Sequence, residues 1–142
     1  LGGFTMSISK INQIIRHLTL LLFTGLAFWS CEDLATIEIK NAINLLDNDA
    51  YYFLDVRTAE EHKIKSIPDT DCIPVKEIEK RIFELYKYRD KKIIVYCRSV
   101  TRSGTATKIL NENGFKAFNM LGGMNGWKGE VVNQESELHL ND

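Results

Sequence analysis

Residues 93 to 110 read IIVYCRSVTRSGTATKIL. A β-branched apolar run ends in Cys97, and Arg98, Ser99, Val100, Thr101, Arg102 and Ser103 follow before a helical pattern resumes. A strand that delivers a thiol to a short loop ahead of a helix surrounds it with backbone N–H groups and the positive end of the helix dipole, which together form an anion cradle. Arg98 and Arg102 add positive charge, and Ser99, Thr101, Ser103, Thr105 and Thr107 are small enough to let the backbone approach a ligand closely. Helix N-termini and cationic neighbours make a thiol ionise more readily than the ~8.5 of a free cysteine. The chemistry that fits is nucleophilic attack by Cys97, with the same cradle holding an oxyanion or a negatively charged sulfur adduct. The competing reading makes Cys97 a small apolar residue at the end of a buried strand. It accounts for the strand and leaves the clustered arginines and hydroxyls unexplained.

The elements that must position this loop alternate regularly. ATIEI (35–39) has strand periodicity, and Ile39, Ile43 and Leu46 follow at helical spacing. YYFLDV (51–56) is an apolar run suited to a strand buried on both faces. Thr58 with Glu61 three residues later is a capping box opening a short helix. Ile78, Ile82, Leu85 and Tyr86 form one face of a further helix, with Glu77, Lys80, Arg81, Glu84 and Lys87 on the other. KIIVYC is the next strand, Ala106, Ile109 and Leu110 stripe a helix that Gly114 ends, and FKAFNML is the last strand. The alternation predicts an α/β layer on a largely parallel sheet. Ligands bind such sheets at the carboxyl ends of the strands, where both Cys97 and Asp55 fall.

At 142 residues the chain holds one domain with a real core. Its 44% hydrophobic and 26% charged residues describe a globular protein and exclude global disorder. A formal net charge of -1, with no basic face interleaved with aromatics, argues against nucleic acid as a partner, because phosphate neutralisation needs clustered cations. The amino end differs in kind. Lys10 and Arg16 flank an apolar run of 12 residues, Leu18 to Trp29, with no acidic residue before Glu32. That is the length of an export-signal core and too short for a spanning helix of ~20 residues. A buried or amphipathic first helix is the alternative. AFWSC resembles the bacterial lipoprotein cleavage box, with Ser30 in keeping and Phe28 and Trp29 departing from it. Cys31 is then the lipidated residue, and a membrane surface is a partner through that anchor. A plain export signal or an uncleaved anchor are the other readings. The expected organisation is a signal segment over 1–30, one domain over 31–132 and a polar tail over 133–142, in an exported protein of the cell envelope. Cys72, in DCIPV, reads as a small buried hydrophobe, with a disulfide to Cys97 as the alternative if their Cα atoms lie within ~7 Å.

Three stretches together resemble the rhodanese-like sulfurtransferases of single-domain type: LDVRTAEEH (54–62), CRSVTRS (97–103) and MLGGMNGW (120–127). They stand in the family's order and span about residues 35 to 130. The resemblance implies a five-stranded, mainly parallel sheet flanked by helices. It also implies a mechanism, in which Cys97 takes the outer sulfur of a small anionic donor such as thiosulfate as a persulfide and passes it to cyanide or a thiol. The main-chain amides of Arg98, Ser99, Val100, Thr101, Arg102 and Ser103 would wrap the persulfide. Arg98 and Arg102 would orient the donor, with Arg102 also holding the loop. Asp55 and Arg57 belong to the family's second signature and read mainly as a loop-fixing ion pair, with Asp55 at the edge of the site. No cofactor is implied.

Loop length separates neighbouring chemistries. Tyrosine phosphatases place an arginine after five intervening residues, whereas four separate Cys97 from Arg102, and the next position is Ser103. The tighter ring suits sulfur better than a phosphoryl group. Val100 stands where the family commonly has glycine, and a β-branched residue resists positive φ. His62 replaces an aromatic and reads as a surface residue, and Ser66, Asp69 and Thr70 depart from the family pattern. The three cysteines and His17, His62 and His139 show no metal-ligand spacing. Beside the enzyme stands a second reading, a rhodanese-like module that binds a partner or an oxyanion without turnover. The retained cysteine and both arginines favour the enzyme.

Overall fold

A computed structural model describes residues 8–10, 12–13 and 34–133. The chain divides into two units, Leu1–Asp33 and Leu34–Asp142. In the first, residues 8–10 and 12–13 are helical. The rest of the expected signal segment, with His17 and Cys31, lies outside the described residues, as do His139 and the tail beyond Asn133. Among the described residues no helix is long and apolar enough to cross a membrane.

The second unit carries the expected α/β architecture. β1 (Thr36–Glu38), β2 (Tyr51–Asp55), β4 (Asp71–Cys72), β5 (Lys92–Tyr96) and β6 (Lys116–Leu121) form one sheet in the order β1-β6-β5-β2-β4. Every neighbouring pair is parallel, so the carboxyl ends of all five strands lie along one edge. Helices cover both faces. Leu54 and Val95 point into a core shared with α3 (Ile78–Arg81) and α4 (Thr101–Glu112). Phe53 and Ile94 point the other way, into a core with α1 (Ile39–Ile43) and α5 (Gly123–Gly126). This alternation is the period of two that a strand imposes, and burial on both faces explains why the central strands read as continuous apolar runs. Each fully buried aliphatic side chain contributes about 1.5–3 kcal/mol. Trp127, just after α5, packs edge-on against Phe53 and donates its indole N–H to the Glu130 carbonyl at 2.9 Å.

Three local departures have physical causes. The first helix stops at Ile43 and gives way to turns, although Ile39, Ile43 and Leu46 still pack against the same core. The helix expected across 78–87 keeps α geometry only to Arg81, and Ile82–Tyr88 is a 3₁₀ helix. At three residues per turn the core-facing positions become Leu85, which is buried, and Ile82 and Tyr88, which are partly buried. Tyr88 therefore stacks on Tyr52, and Tyr86 is 53% exposed instead of buried. A second sheet, absent from the sequence reading, pairs β3 (Lys65–Ser66) with β7 (Val132–Asn133) in antiparallel register. Strands of two residues carry no periodicity to read.

α2 (Ala59–Ile64) opens on the expected capping box. The Glu61 N–H donates to Thr58 Oγ1 at 3.2 Å, and the Thr58 N–H donates to Glu61 Oε2 at 3.1 Å. α4 ends as the sequence indicates, with Gly114 at φ +81 after the Asn113 cap.

Candidate active site

Cys97 leaves β5 at the carboxyl edge of the sheet and is 1% exposed. The backbone of the following loop is turned by ties to its carbonyls. The Met124 N–H donates to the Cys97 carbonyl at 2.9 Å and the Asn125 N–H to the Arg98 carbonyl at 3.0 Å. The Val100 carbonyl accepts from the Gly104 N–H at 2.9 Å, the Ser103 hydroxyl at 3.1 Å and Asn119 Nδ2 at 3.3 Å. Among the described residues, no backbone N–H from Arg98 to Ser103 donates to a protein acceptor. Thr101, Arg102 and Ser103 are the first residues of α4, whose N–H groups have no intrahelical partner. The result is a run of amides around the thiol, available to an anion.

Gly123 makes the turn of this loop possible. Its φ is +53, and a Cβ there would collide with the carbonyl oxygens of Cys97 and Ser99. Only a glycine lets α5 come close enough to hold the Cys97 and Arg98 carbonyls. Val100, by contrast, sits at φ -147 and ψ -21, outside the left-handed region. The loop therefore needs no positive φ at that position, the one conformation for which a glycine is required.

The side chains divide between the thiol and the frame. Ser103 is buried, with its Oγ 3.3 Å from Cys97 Sγ. Arg102 forms a bidentate pair with Glu61 of α2, at 2.6 and 2.9 Å. Hydrogen bonds from Arg102 hold the Glu61 carboxyl down at about 2, below its ordinary 4.5. The charge of Arg102 is thus engaged in clamping the loop to α2. Arg98, Ser99, Val100 and Thr101 are exposed, and among the described residues Arg98 makes no ion pair.

Asp55, at the end of β2, is buried within a bracket of its own. It accepts from Arg57 Nε at 2.9 Å and Nη2 at 2.6 Å and from the Arg57 N–H at 2.9 Å. Arg57 Nη2 also donates to the Lys65 carbonyl at 2.6 Å. His62 Nδ1 lies 3.0 Å from Asp55 Oδ2, so His62 is tied to the sheet and is not the surface residue that the sequence suggests. Asp55, His62 and Cys72 place one potential metal-ligand atom each within 4.8 Å of the others, a grouping invisible in the linear spacing. Both Asp55 oxygens are already taken by the Arg57 guanidinium, whose positive charge opposes a cation there.

Cys72 is half-buried and free, and Cys97 is free as well. Burial, with Asp55 adding to it, pushes the Cys72 thiol up to about 12, so it stays protonated at neutral pH. The register sets Cys72 and Tyr96 on opposite sides of Asp55. Two strand spacings separate them, about 9.5 Å, and Cys97 lies one residue further on with its side chain in the other core. The disulfide alternative is therefore closed, since a bridge needs Cα atoms within ~7 Å.

Comparison with known proteins agrees with this geometry. The rhodanese-like domain family matches residues 38–130. The chain belongs to that family. The thiosulfate sulfurtransferase PspE of Escherichia coli (strain K12) is 31% identical over 75 residues, 53% of this chain and 72% of that protein. A sulfurtransferase of Allochromatium vinosum is 34% identical over 84 residues, 58% of this chain and 77% of that protein. The crystal structure of a rhodanese-related protein from Thermoplasma volcanium superposes with a TM-score of 0.64 at 30% identity, covering 69% of this chain and 97% of that one. The chain spans 93% of a Bacillus subtilis relative but only 30% of a Porphyra purpurea one, where the match is one part of a longer protein. Relatives of this kind support sulfur transfer as the general function.

Two consequences are measurable. Because Glu61 is depressed in the folded state, its contribution to stability is present above 4.5 and lost as pH falls towards about 2. Urea unfolding of Glu61→Gln should show a stability deficit near neutral pH that closes across that window. A deficit independent of pH would place the loss outside the Arg102 pair. The second concerns the glycines. Gly122 and Gly123 both have positive φ, but a Cβ on Gly122 meets only the flexible end of Ile39, while one on Gly123 meets backbone. Gly123→Ala should destabilise by more than Gly122→Ala, whose strain alone costs roughly 1–3 kcal/mol. Equal losses in chemical denaturation would mean that α5 is not packed rigidly against the loop.

Proposed function

We propose that the protein is a thiosulfate-type sulfurtransferase that carries sulfane sulfur on Cys97. The observation that carries this reading is the loop from Arg98 to Ser103, in which the Arg98 and Val100 carbonyls are tied by hydrogen bonds and the amides donate to no protein acceptor among the described residues. In the first half-reaction the Cys97 thiolate attacks the outer sulfur of thiosulfate. The S–S bond of the donor breaks, sulfite leaves with the electron pair, and a persulfide anion remains on Cys97. In the second, cyanide or a thiolate attacks the outer sulfur, and Cys97 departs as thiolate. Both half-reactions keep negative charge on sulfur within the loop, where preorganised N–H groups stabilise it without reorganisation. Arg98 is the cation free to draw in the anionic donor, and Arg102 holds the loop through Glu61.

The burial of Cys97 favours a second reading, in which the same loop binds an oxyanion or partner without turnover. One experiment separates them. Incubation with thiosulfate should add a single sulfur atom, read by intact mass, and Cys97→Ser should abolish the addition. An unmodified wild-type protein overturns the thiosulfate mechanism in favour of the silent module.

We further propose that the protein is exported and anchored at the cell envelope through acylated Cys31. The support is the apolar run Leu18 to Trp29, ending two residues before Cys31, behind a basic flank. Mass spectrometry of membrane fractions should find acyl chains on Cys31 at the amino terminus of the processed protein. A soluble, unacylated product beginning elsewhere refutes the anchor.

A further inference from the structure

The hydrogen bonds around Val100 point beyond the loop itself. Ser103 Oγ lies 3.1 Å from the Val100 carbonyl and 3.3 Å from Cys97 Sγ, and a hydroxyl has one proton for two acceptors. While Cys97 is a thiol, its S–H donates to Ser103 Oγ and the hydroxyl donates to Val100. Once Cys97 is a thiolate, the sulfur has no proton to give and becomes the stronger acceptor, because hydrogen bonds to ionised groups are roughly twice as strong as neutral ones. The hydroxyl must then turn from Val100 to the sulfur. What it leaves behind decides how readily it turns.

We propose that Asn119 is a positioning residue for Cys97: its side-chain amide satisfies the Val100 carbonyl and thereby frees the Ser103 proton for the sulfur. Asn119 lies on β6 beside Val95, on the face of the sheet that also carries Cys97, and is 5% exposed. Its Nδ2 donates to the Val100 carbonyl at 3.3 Å, and only that end of the amide can, since the partner is a carbonyl. The carbonyl's two lone pairs are then filled by Gly104 N–H and Asn119 Nδ2 when Ser103 departs.

Two further features of the pocket agree. Asn119 Oδ1 is buried with no hydrogen-bond partner among the described residues. An orphaned buried acceptor is costly, and a leucine of similar size would avoid it, so the use of this amide lies in its Nδ2. Gly104 supplies the room, since a Cβ there would stand 3.3 Å from Nδ2.

The proposal rests on the reading of Cys97 as the sulfur-bearing nucleophile. In the first half-reaction the freed proton stabilises the attacking thiolate. In the second it stabilises Sγ as it takes the electron pair of the breaking S–S bond.

The test is a double-mutant cycle on the full chain with Asn119→Leu, Ser103→Ala and the pair. Two measurements need no persulfide: the rate of iodoacetamide alkylation of Cys97 at neutral pH, and the ultraviolet absorbance of its thiolate against Cys97→Ser. Each single variant should slow alkylation roughly tenfold or more, the loss of one hydrogen bond to a charged group. The pair should be no slower than Ser103→Ala, because Asn119 acts through that hydroxyl. Thiolate absorbance should fall in parallel while thermal unfolding remains cooperative. Asn119→Ala gives the same comparison where the leucine variant does not fold. Losses that multiply in the pair, or Asn119 variants with unchanged alkylation and absorbance, overturn the proposal. Thiosulfate loading of the wild type is scored separately: failure there removes the sulfurtransferase reading, while the alkylation cycle still decides the role of Asn119.

Discussion

The site depends on one constraint, that the Cys97, Arg98 and Val100 carbonyls are held in hydrogen bonds to the surrounding frame. A peptide unit is planar, so turning its C=O outward turns the N–H of the same unit the other way. Left alone, a loop of this length has no reason to present its amides together. Here α5 takes the Cys97 and Arg98 carbonyls, and the first turn of α4 with Asn119 takes that of Val100. An anion at the thiol is thus met by dipoles fixed before it arrives, and stabilisation needs no rearrangement at the moment of reaction.

Everything that holds this arrangement comes from the same edge of the sheet. Parallel strands in order β1-β6-β5-β2-β4 bring Asp55, Cys72, Cys97 and Gly122 to neighbouring positions or just beyond the strand ends. α2 then acts as a brace between two of them. Glu61 grips Arg102 of the loop, and the adjacent His62 meets Asp55 at the end of β2. Asp55 in turn fixes Arg57, which reaches the Lys65 carbonyl and so the start of β3. The capping box at Thr58 does more than begin a helix, because its Glu61 is also the partner of Arg102.

The sequence made the sheet and the Cys97 loop legible because both follow from local pattern. Apolar runs, capping residues and Gly114 are signals within a few residues of one another. What was missed depends on contacts between distant segments. Asn119 sits in a strand read only as apolar, yet its side chain lies against a loop 19 residues earlier. Glu61 shows only its cap in the sequence, because its second partner is 41 residues away. His62 reads as a surface residue in the sequence because a helix of six residues has too little periodicity to show which side chain faces the sheet. The GG of the final motif was recognised as a pattern, but its reason, backbone pressed on backbone, exists only in three dimensions.

The distribution of charge bears on which anion the loop suits. A cradle for a dianionic phosphoryl group gains from two guanidiniums free to fork onto its oxygens. In this loop one of the two arginines is already forked onto a carboxylate, and its charge is cancelled at short range by Glu61. The field at Cys97 is therefore built from amide dipoles, the N-terminus of a 12-residue helix, the exposed Arg98 and what Glu61 leaves of the Arg102 charge. Such a field favours a compact charge close to the backbone over a large one that needs side-chain forks. A terminal persulfide sulfur, singly charged and one bond from the thiol, is that kind of charge. Four residues separate Cys97 from Arg102, and the pair of Arg102 with Glu61 of α2 spends the loop's second cation on rigidity.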